Sequence, residues 1–504
     1  TNVEIMGDSI VERYIDYDGK EKIREVKYRP TLFLHTNANT GYRDIYGKFC
    51  QPYTFNSIKE ANRWKYGPEV KDKEIMGMDN YLLAYLSDQY EEDIEYDMSK
   101  IRIAIFDIEV TTDGPFPNEY EAKYAIDAVS IYDTLDDKIY MFDLIEDKEH
   151  GLPRVKPWVP DERDLDKEVL DKVVYKTFTN GDDLLMALVD YVRQKMPTIL
   201  AGWNSDKFDI PYIINRLKRR FGEEYAKQFS PYNDIYERTS YDAYEKPYKT
   251  YIPKGIAHMD YMEIYKAFRF KTQPSYSLDY IGKEETGIGK VDYMGPIHTL
   301  RSGNYIPTFK PEYDENDNLG QWLYIKYMIN DFLDRKVFTK SLLPKINTLL
   351  ESENIAEQAM KLIKVVDYVS ENEEALEGAD LELLRDIRAK VYQIYSDESH
   401  RKYITYSIMD VNLIKLIDDN LSYFELVFDL AYYAKMPISN VMSKIQIWDA
   451  IIFNSLKRDK RVVPMKDVPE HNERIVGAFV KDPIVGVHKF VLSFDLTSLK
   501  YMGL

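Results

Sequence analysis

Phe106-Asp107-Ile108-Glu109-Val110 sets two acids two positions apart in an apolar run. Side chains alternate along a strand, so Asp107 and Glu109 project together while Phe106, Ile108 and Val110 enter a core. Two ionised carboxylates that close repel each other unless a divalent cation lies between them. A solvated strand edge is the other reading of the same residues. Two more segments supply acids. Asp209 opens a helix that carries Pro211 in its first turn, where the helix dipole favours negative charge, so ligation and N-capping are both open to it. Tyr406 and Asp410 stand four apart in a run whose Ile404, Ile408, Val411 and Ile414 recur at helical spacing. The phenol and the carboxylate therefore share a face, either as a plain surface pair or as parts of a site.

The elements that must position these residues form a recognisable order. Residues 101–110, 126–133 and 138–144 read as consecutive strands, the last two joined by the tight turn Thr134-Leu135-Asp136-Asp137. A helix at 182–195 leads to a buried strand at 198–203, a loop at 204–208 and the Asp209 helix. Tyr406 and Asp410 lie on a helix over 403–416. A strand meander followed by alternating helix and strand predicts a mixed α/β fold of ribonuclease-H-like arrangement. Residues 304–399, rich in Glu, Leu and Lys, read as a helical insertion with helices near 357–369 and 381–395. Such an insertion needs its own small core, and serves either as a surface elaboration or as a docking site.

With 504 residues, 44% of them hydrophobic, the chain has room for two or three domains. Cys50 is the only cysteine, which excludes an internal disulfide and fits a reducing compartment. The sequence shows no signal peptide and no apolar run of membrane-spanning length. A net charge of −19 argues against broad phosphate binding and leaves room only for a local basic funnel. Candidates are Lys218-Arg219-Arg220 and the group Lys266, Arg269 and Lys271, whose plainer reading is a solvated face. Among 43 tyrosines and 21 phenylalanines there is ample surface for stacking bases.

Asp107 and Glu109, Asp209 in its Gly-Trp-Asn…Phe-Asp setting, and Tyr406-x-x-x-Asp410 resemble the three motifs of the DEDDy proofreading 3′-5′ exonucleases. Most of the chain resembles the family B DNA polymerases of T-even-like bacteriophages. The match runs through Ile10-Val11-Glu12-Arg13-Tyr14-Ile15-Asp16, Asp44-Ile45-Tyr46-Gly47-Lys48, Tyr432-Tyr433-Ala434-Lys435-Met436-Pro437, Trp448-Asp449-Ala450-Ile451-Ile452-Phe453-Asn454 and Ser493-Phe494-Asp495-Leu496-Thr497-Ser498-Leu499. The resemblance implies an N-terminal domain over 1–101, to which the chain returns at 423–465. It further implies an exonuclease domain over 102–422 with the insertion at about 304–399, and the start of a palm at 466–504. Two Mg²⁺ or Mn²⁺ ions are implied in the exonuclease site. Asp107 would bridge them, Glu109 and Asp410 complete the first position, Asp209 anchor the second and Tyr406 orient the attacking water. Phe116 and Asn204 are the implied DNA contacts, Phe116 by stacking on a frayed primer end.

Departures from the family carry their own expectations. Its polymerase motif A continues Ser-Leu-Tyr-Pro-Ser, whereas here Ser498-Leu499-Lys500-Tyr501 follows Asp495, and no Tyr-Gly-Asp-Thr-Asp-Ser string occurs. Nucleotidyl transfer needs two metals held by carboxylates from more than one motif, and Asp495 alone cannot hold them. The expectation is a second polypeptide supplying the rest of the palm, fingers and thumb, with polymerase metals bound only in its company. Thr1 falls inside the family's first strand, as if the start were trimmed, and the family lacks most of 304–399. The implied partners are primer-template DNA, a single-stranded 3′ end, a sliding clamp and a single-stranded-DNA-binding protein; no membrane is involved. The implied location is the cytoplasm of an infected bacterium. A chain that kept single-stranded DNA or messenger RNA binding and lost catalysis, or a purely structural subunit, is the alternative.

Overall fold

A computed structural model describes residues 2–16, 18–110, 116–147, 154–162, 164–241, 247–269, 271–289, 378–465 and 486, with backbone alone over 378–399. Thr1–Pro464 forms one compact unit and Met465–Leu504 a second. The motif A segment with Asp495, and the expected helix at 357–369, lie outside the described residues.

The chain opens with an antiparallel meander of β1 (Asn2–Met6), β2 (Ser9–Ile15) and β3 (Glu21–Val26). Glu12 on β2 is fully buried and would be costly there unpaired; it accepts from the Tyr85 hydroxyl at 2.6 Å and Arg24 Nε at 2.7 Å. The Tyr85 bond fastens the meander to the helix Tyr81–Gln89, while the Arg24 bond ties β3 to β2. Arg13, also buried, donates to the carbonyls of Met196 and Pro197 at 3.0 and 2.7 Å, while Asn2 donates to those of Thr198 and Gly255. The meander is thereby pinned to the chain entering the central sheet. Next come β4 (Thr31–His35), β5 (Arg43–Asp44), β6 (Cys50–Thr54) and β7 (Ile75–Met76), with β4 between β6 and β7.

The central sheet holds β8 (Ile103–Glu109), β9 (Ala128–Asp133), β10 (Lys138–Leu144), β11 (Val173–Phe178) and β12 (Ile199–Gly202). A hairpin of β13 (Ile235–Tyr241) and β14 (Pro247–Pro253) follows, and β15 (Ala257–Asp260) completes the sheet in the order β11-β10-β9-β8-β12-β15. Only β9 runs against its neighbours. The three strands read first from sequence are present with ends trimmed by up to two residues. The strands β11 and β15 and the hairpin are additions; β15 is four residues long, too short for a period of two to show. Helix Gly181–Lys195 starts one residue before its expected position because Asn180 caps it, accepting from Asp182 N–H at 2.7 Å.

Both faces of β8 are covered, which differs from a strand with one wet face. Ala104, Phe106 and Ile108 pack with the helices Gly181–Lys195 and Asp209–Phe221. Ile103 and Ile105 pack under Ile404, Ile408, Val411 and Ile414 of a 44-residue helix, Gly378–Leu421. That helix contains the expected segments 381–395 and 403–416 and runs unbroken through 399, where the insertion was expected to end. No Gly or Pro interrupts it after Gly378. Helices Tyr423–Ala434 and Lys444–Arg458 follow, and β16 (Arg461–Val462) returns to pair in parallel with β5. Among the described residues, no helix is long and apolar enough to cross a membrane.

Candidate active site

The period of two along β8 puts Asp107 and Glu109 on the Ile103/Ile105 face, beneath the helix Gly378–Leu421. The helix in turn brings Asp410 down to them. One ligand oxygen from each of Asp107, Glu109 and Asp410 lies within 4.8 Å of the others; Asp107 is half-buried, and the other two are buried. Three carboxylates around so small a space are an all-oxygen donor set suited to a hard divalent cation. Tyr406, half-buried, precedes Asp410 by one turn.

The register of this helix is fixed by polar anchors. The Ser130 hydroxyl on β9 donates to the Ser407 carbonyl at 2.8 Å, Trp158 Nε1 donates to the Thr405 hydroxyl at 3.0 Å, and His400 Nε2 lies 2.9 Å from the buried Asp143 on β10. Burial of these groups makes each bond expensive to break. They therefore set which helical residue stands over Asp107.

Asp209 is placed differently. Phe208 occupies the N-cap position and Asp209 the first turn of the helix Asp209–Phe221. The Asp209 carboxylate accepts from its own backbone N–H and reaches across to that of Ile108 at 3.2 Å, between the two acids of β8. It lies outside the 4.8 Å group, is 4% exposed, and its pKa is raised by burial, against the pull of the Ile108 bond. A nearby cation would reverse that shift.

The other expected residues divide. Phe116 is 64% exposed and its ring centroid lies 4.9 Å from that of Phe208, so an open aromatic pair stands beside the start of the Asp209 helix. Asn204, in left-handed conformation, donates its backbone N–H to the Asp260 carboxylate at 2.9 Å. The basic clusters serve structure. Arg220 forms a two-pronged pair with Asp182 at 2.7 and 2.8 Å, Arg219 reaches the Glu121 carbonyl, and Lys218 meets Glu223. Lys266, Arg269 and Lys271 pair with Glu263, Glu285 and Glu284.

Sequence reading missed His258 and Asp260 on β15, which hold the loop before Asp209. Burial, with the charge of Asp206 adding to it, raises the Asp260 carboxyl to about 6. For His258 burial pulls the pKa down, but the Asp206 carboxylate outweighs it and the net shift is upward. The Asp before the apolar run 261–268 was the available signal, since Asp260 also caps that helix through Met262 N–H at 3.0 Å.

Residues 79–281 match the family model of the DNA polymerase family B exonuclease domain. Over 509 residues, 99% of this chain, the sequence is 36% identical to a DNA-directed DNA polymerase of Escherichia phage RB69. Over 504 residues, again 99% of the chain, it is 34% identical to the DNA-directed DNA polymerase of Enterobacteria phage T4. DNA polymerase 037L of Invertebrate iridescent virus 6 is 23% identical over 79% of this chain and 32% of its own length. The chain spans 45% of the length of each of the two phage relatives. With a matched exonuclease domain whose β8 meets Asp410 of the later helix Gly378–Leu421, and with this similarity along 99% of its length, the chain belongs to the family B DNA polymerases of the RB69 and T4 kind.

Proposed function

We propose that this chain hydrolyses DNA from the 3′ end by two-metal catalysis, as the proofreading part of a phage replicative polymerase. The observation that supports it is the gathering of Asp107, Glu109 and Asp410 within 4.8 Å, with Asp209 bonded to the backbone between the first two. Divalent cations, Mg²⁺ or Mn²⁺, would supply an activated water and a counter-charge for the departing 3′ oxygen. Asp107, Glu109 and Asp410 would hold the first ion and Asp209 the second. The Tyr406 phenol orients the water by hydrogen bonding, since a pKa near ~10 makes it a poor base at neutral pH. Phe116 and Phe208 offer ring faces to an unpaired terminal base, and Asn204 lies on the adjoining loop.

Residues 1–101 and 423–465 form the N-terminal domain, 102–422 the exonuclease domain with its insertion, and 466–504 the start of a palm. Asp495 contributes to a polymerase site that a second polypeptide completes. A sliding clamp, a single-stranded-DNA-binding protein and the cytoplasm of an infected bacterium complete this setting.

The test is degradation of a 5′-labelled single-stranded oligonucleotide with Mg²⁺ or Mn²⁺, beside matched duplex. Single strands should shorten faster, because fraying a paired end costs a few kcal/mol. Asp107→Ala should lower the rate by more than about a hundredfold, since even outer-shell partners of metal ligands are worth roughly 10–100-fold. No cleavage with either metal, or an unaltered rate in Asp107→Ala, overturns the proposal and favours the binding-subunit alternative.

A further inference from the structure

The loop between β12 and the Asp209 helix is gripped by side chains of β15 that the proposed hydrolysis leaves unused. His258, its side chain 4% exposed, lies between two consecutive loop residues: Nε2 is 3.0 Å from the Ser205 hydroxyl and Nδ1 is 2.9 Å from the Asp206 carboxylate. The carboxylate partner assigns a ring proton to Nδ1, and Nε2 shares its hydrogen bond with the Ser205 hydroxyl. Two residues on, Asp260 accepts the backbone N–H groups of Asn204 at 2.9 Å and Asp206 at 3.3 Å. It thereby stabilises a turn in which Asn204 has φ of 62°, a conformation most side chains avoid.

Ser205 is where this grip meets the proposed metal site. Its carbonyl accepts from Ile210 N–H at 3.1 Å, inside the first turn that carries Asp209. Its side chain fills the space above Gly202, where an added Cβ would stand 2.8 Å from Ser205 Cβ and 2.9 Å from the carbonyl oxygen of Phe106, the residue before Asp107. Ser205 thus lies against Gly202, whose other neighbour is the strand that bears Asp107, and holds the first turn that bears Asp209. The row Ser205, His258, Asp206 has the bonding order of a nucleophile triad, but Ser205 is 0% exposed, so no substrate reaches its hydroxyl. Orientation is what remains for the row to do.

We infer that His258 is a positioning residue for the cation held by Asp209. By bonding Ser205 and Asp206 at once it fixes the 204–208 loop, and with it the position at which Asp209 meets β8. The inference rests on the nuclease reading of Asp209. Groups bonded directly to a metal ligand change metal affinity or activity by roughly 10–100-fold when removed, and His258, which acts through Ser205, belongs at the lower end of that range.

The experiment titrates Mn²⁺ into the full chain, followed by electron paramagnetic resonance, and measures kcat and KM on a single-stranded oligonucleotide and the Tm of each variant. His258→Ala should raise the Mn²⁺ concentration for half-occupancy about tenfold or more and lower kcat by a similar factor, with KM unchanged. His258→Gln, whose amide reaches toward Ser205, should recover part of both. Should His258→Ala not fold, Ser205→Ala carries the same expectation at smaller size. A wild-type chain that binds Mn²⁺ and hydrolyses, with Ser205→Ala and any folded His258→Ala matching it in both, overturns this inference alone. A loss that tracks Tm, with no recovery in His258→Gln, does the same. A wild-type chain that neither binds Mn²⁺ nor hydrolyses overturns the nuclease reading and this inference together.

Discussion

Asp136, in the turn between β9 and β10, shows how single acids tie the sheet together. Burial pushes its pKa up, but hydrogen bonds from Arg102 at 3.0 Å, from Lys195 and from Tyr140 at 2.6 Å outweigh it and hold the carboxyl well below the ordinary range. Because the folded pKa lies below the unfolded one, this group stabilises the fold at neutral pH, and that contribution is lost as pH falls from about 4 downward. Thermal melts from pH 7 to pH 3 should therefore show a shallower loss of Tm in Asp136→Asn than in wild type, from a lower starting point; parallel curves would refute the assignment. Phe116 is the second residue-scale case. A stacked base is worth about 1–3 kcal/mol, so Phe116→Ala should raise KM for single-stranded 3′ ends by roughly 5–150-fold with a smaller change in kcat. Equal KM values would leave Phe116 as a cover for Phe208.

At the scale of elements, the site depends on how closely β12 lies against β8. An added Cβ at Gly202 would press on the Phe106 carbonyl at 2.9 Å, and backbone in mid-sheet gives way less readily than a side-chain tip. Gly202→Ala should cost about 1–3 kcal/mol, as other over-packed sites do, and should lower Tm and nuclease rate together. Retained Tm with normal activity would show that the sheet opens freely there. The insertion presents the opposite expectation. Its last turns lie on the same helix as Asp410, yet the anchors that set this helix begin at His400 with its bond to Asp143. Replacing 304–399 by a short linker should leave hydrolysis of short oligonucleotides within about threefold of wild type, close to the 0.6 kcal/mol that doubling a loop is worth. A folded variant that has lost this activity would place the insertion in the active site.

For the whole molecule, spanning 45% of the RB69 and T4 relatives bears on polymerisation. We expect no primer extension by this chain alone, and extension when it is mixed with a polypeptide carrying the remaining palm, fingers and thumb. Asp495→Ala should abolish extension by the mixture and leave 3′ hydrolysis intact, since the two sites use different carboxylates. Extension without a partner, or extension indifferent to Asp495, would defeat the split-site proposal.

The sequence by itself determined the strand that bears Asp107 and Glu109, their common face, the helix that opens at Asp209 and the helical period that aligns Tyr406 with Asp410. All of these are local periodicities of two or 3.6 residues, so a few neighbouring positions suffice to read them. Only the tertiary structure decided that the long helix lies on the acid-bearing face of β8, because that choice is made by contacts such as Ser130 with Ser407, 277 residues apart, and Trp158 with Thr405. It also decided that Asp209 reaches across to Ile108 N–H, that the basic clusters bond carboxylates and, at Arg219, a carbonyl, and that His258 and Asp260 hold the loop. Such pairings join side chains distant in the chain, and no local pattern records which of many compatible partners the packed core brings within bonding distance.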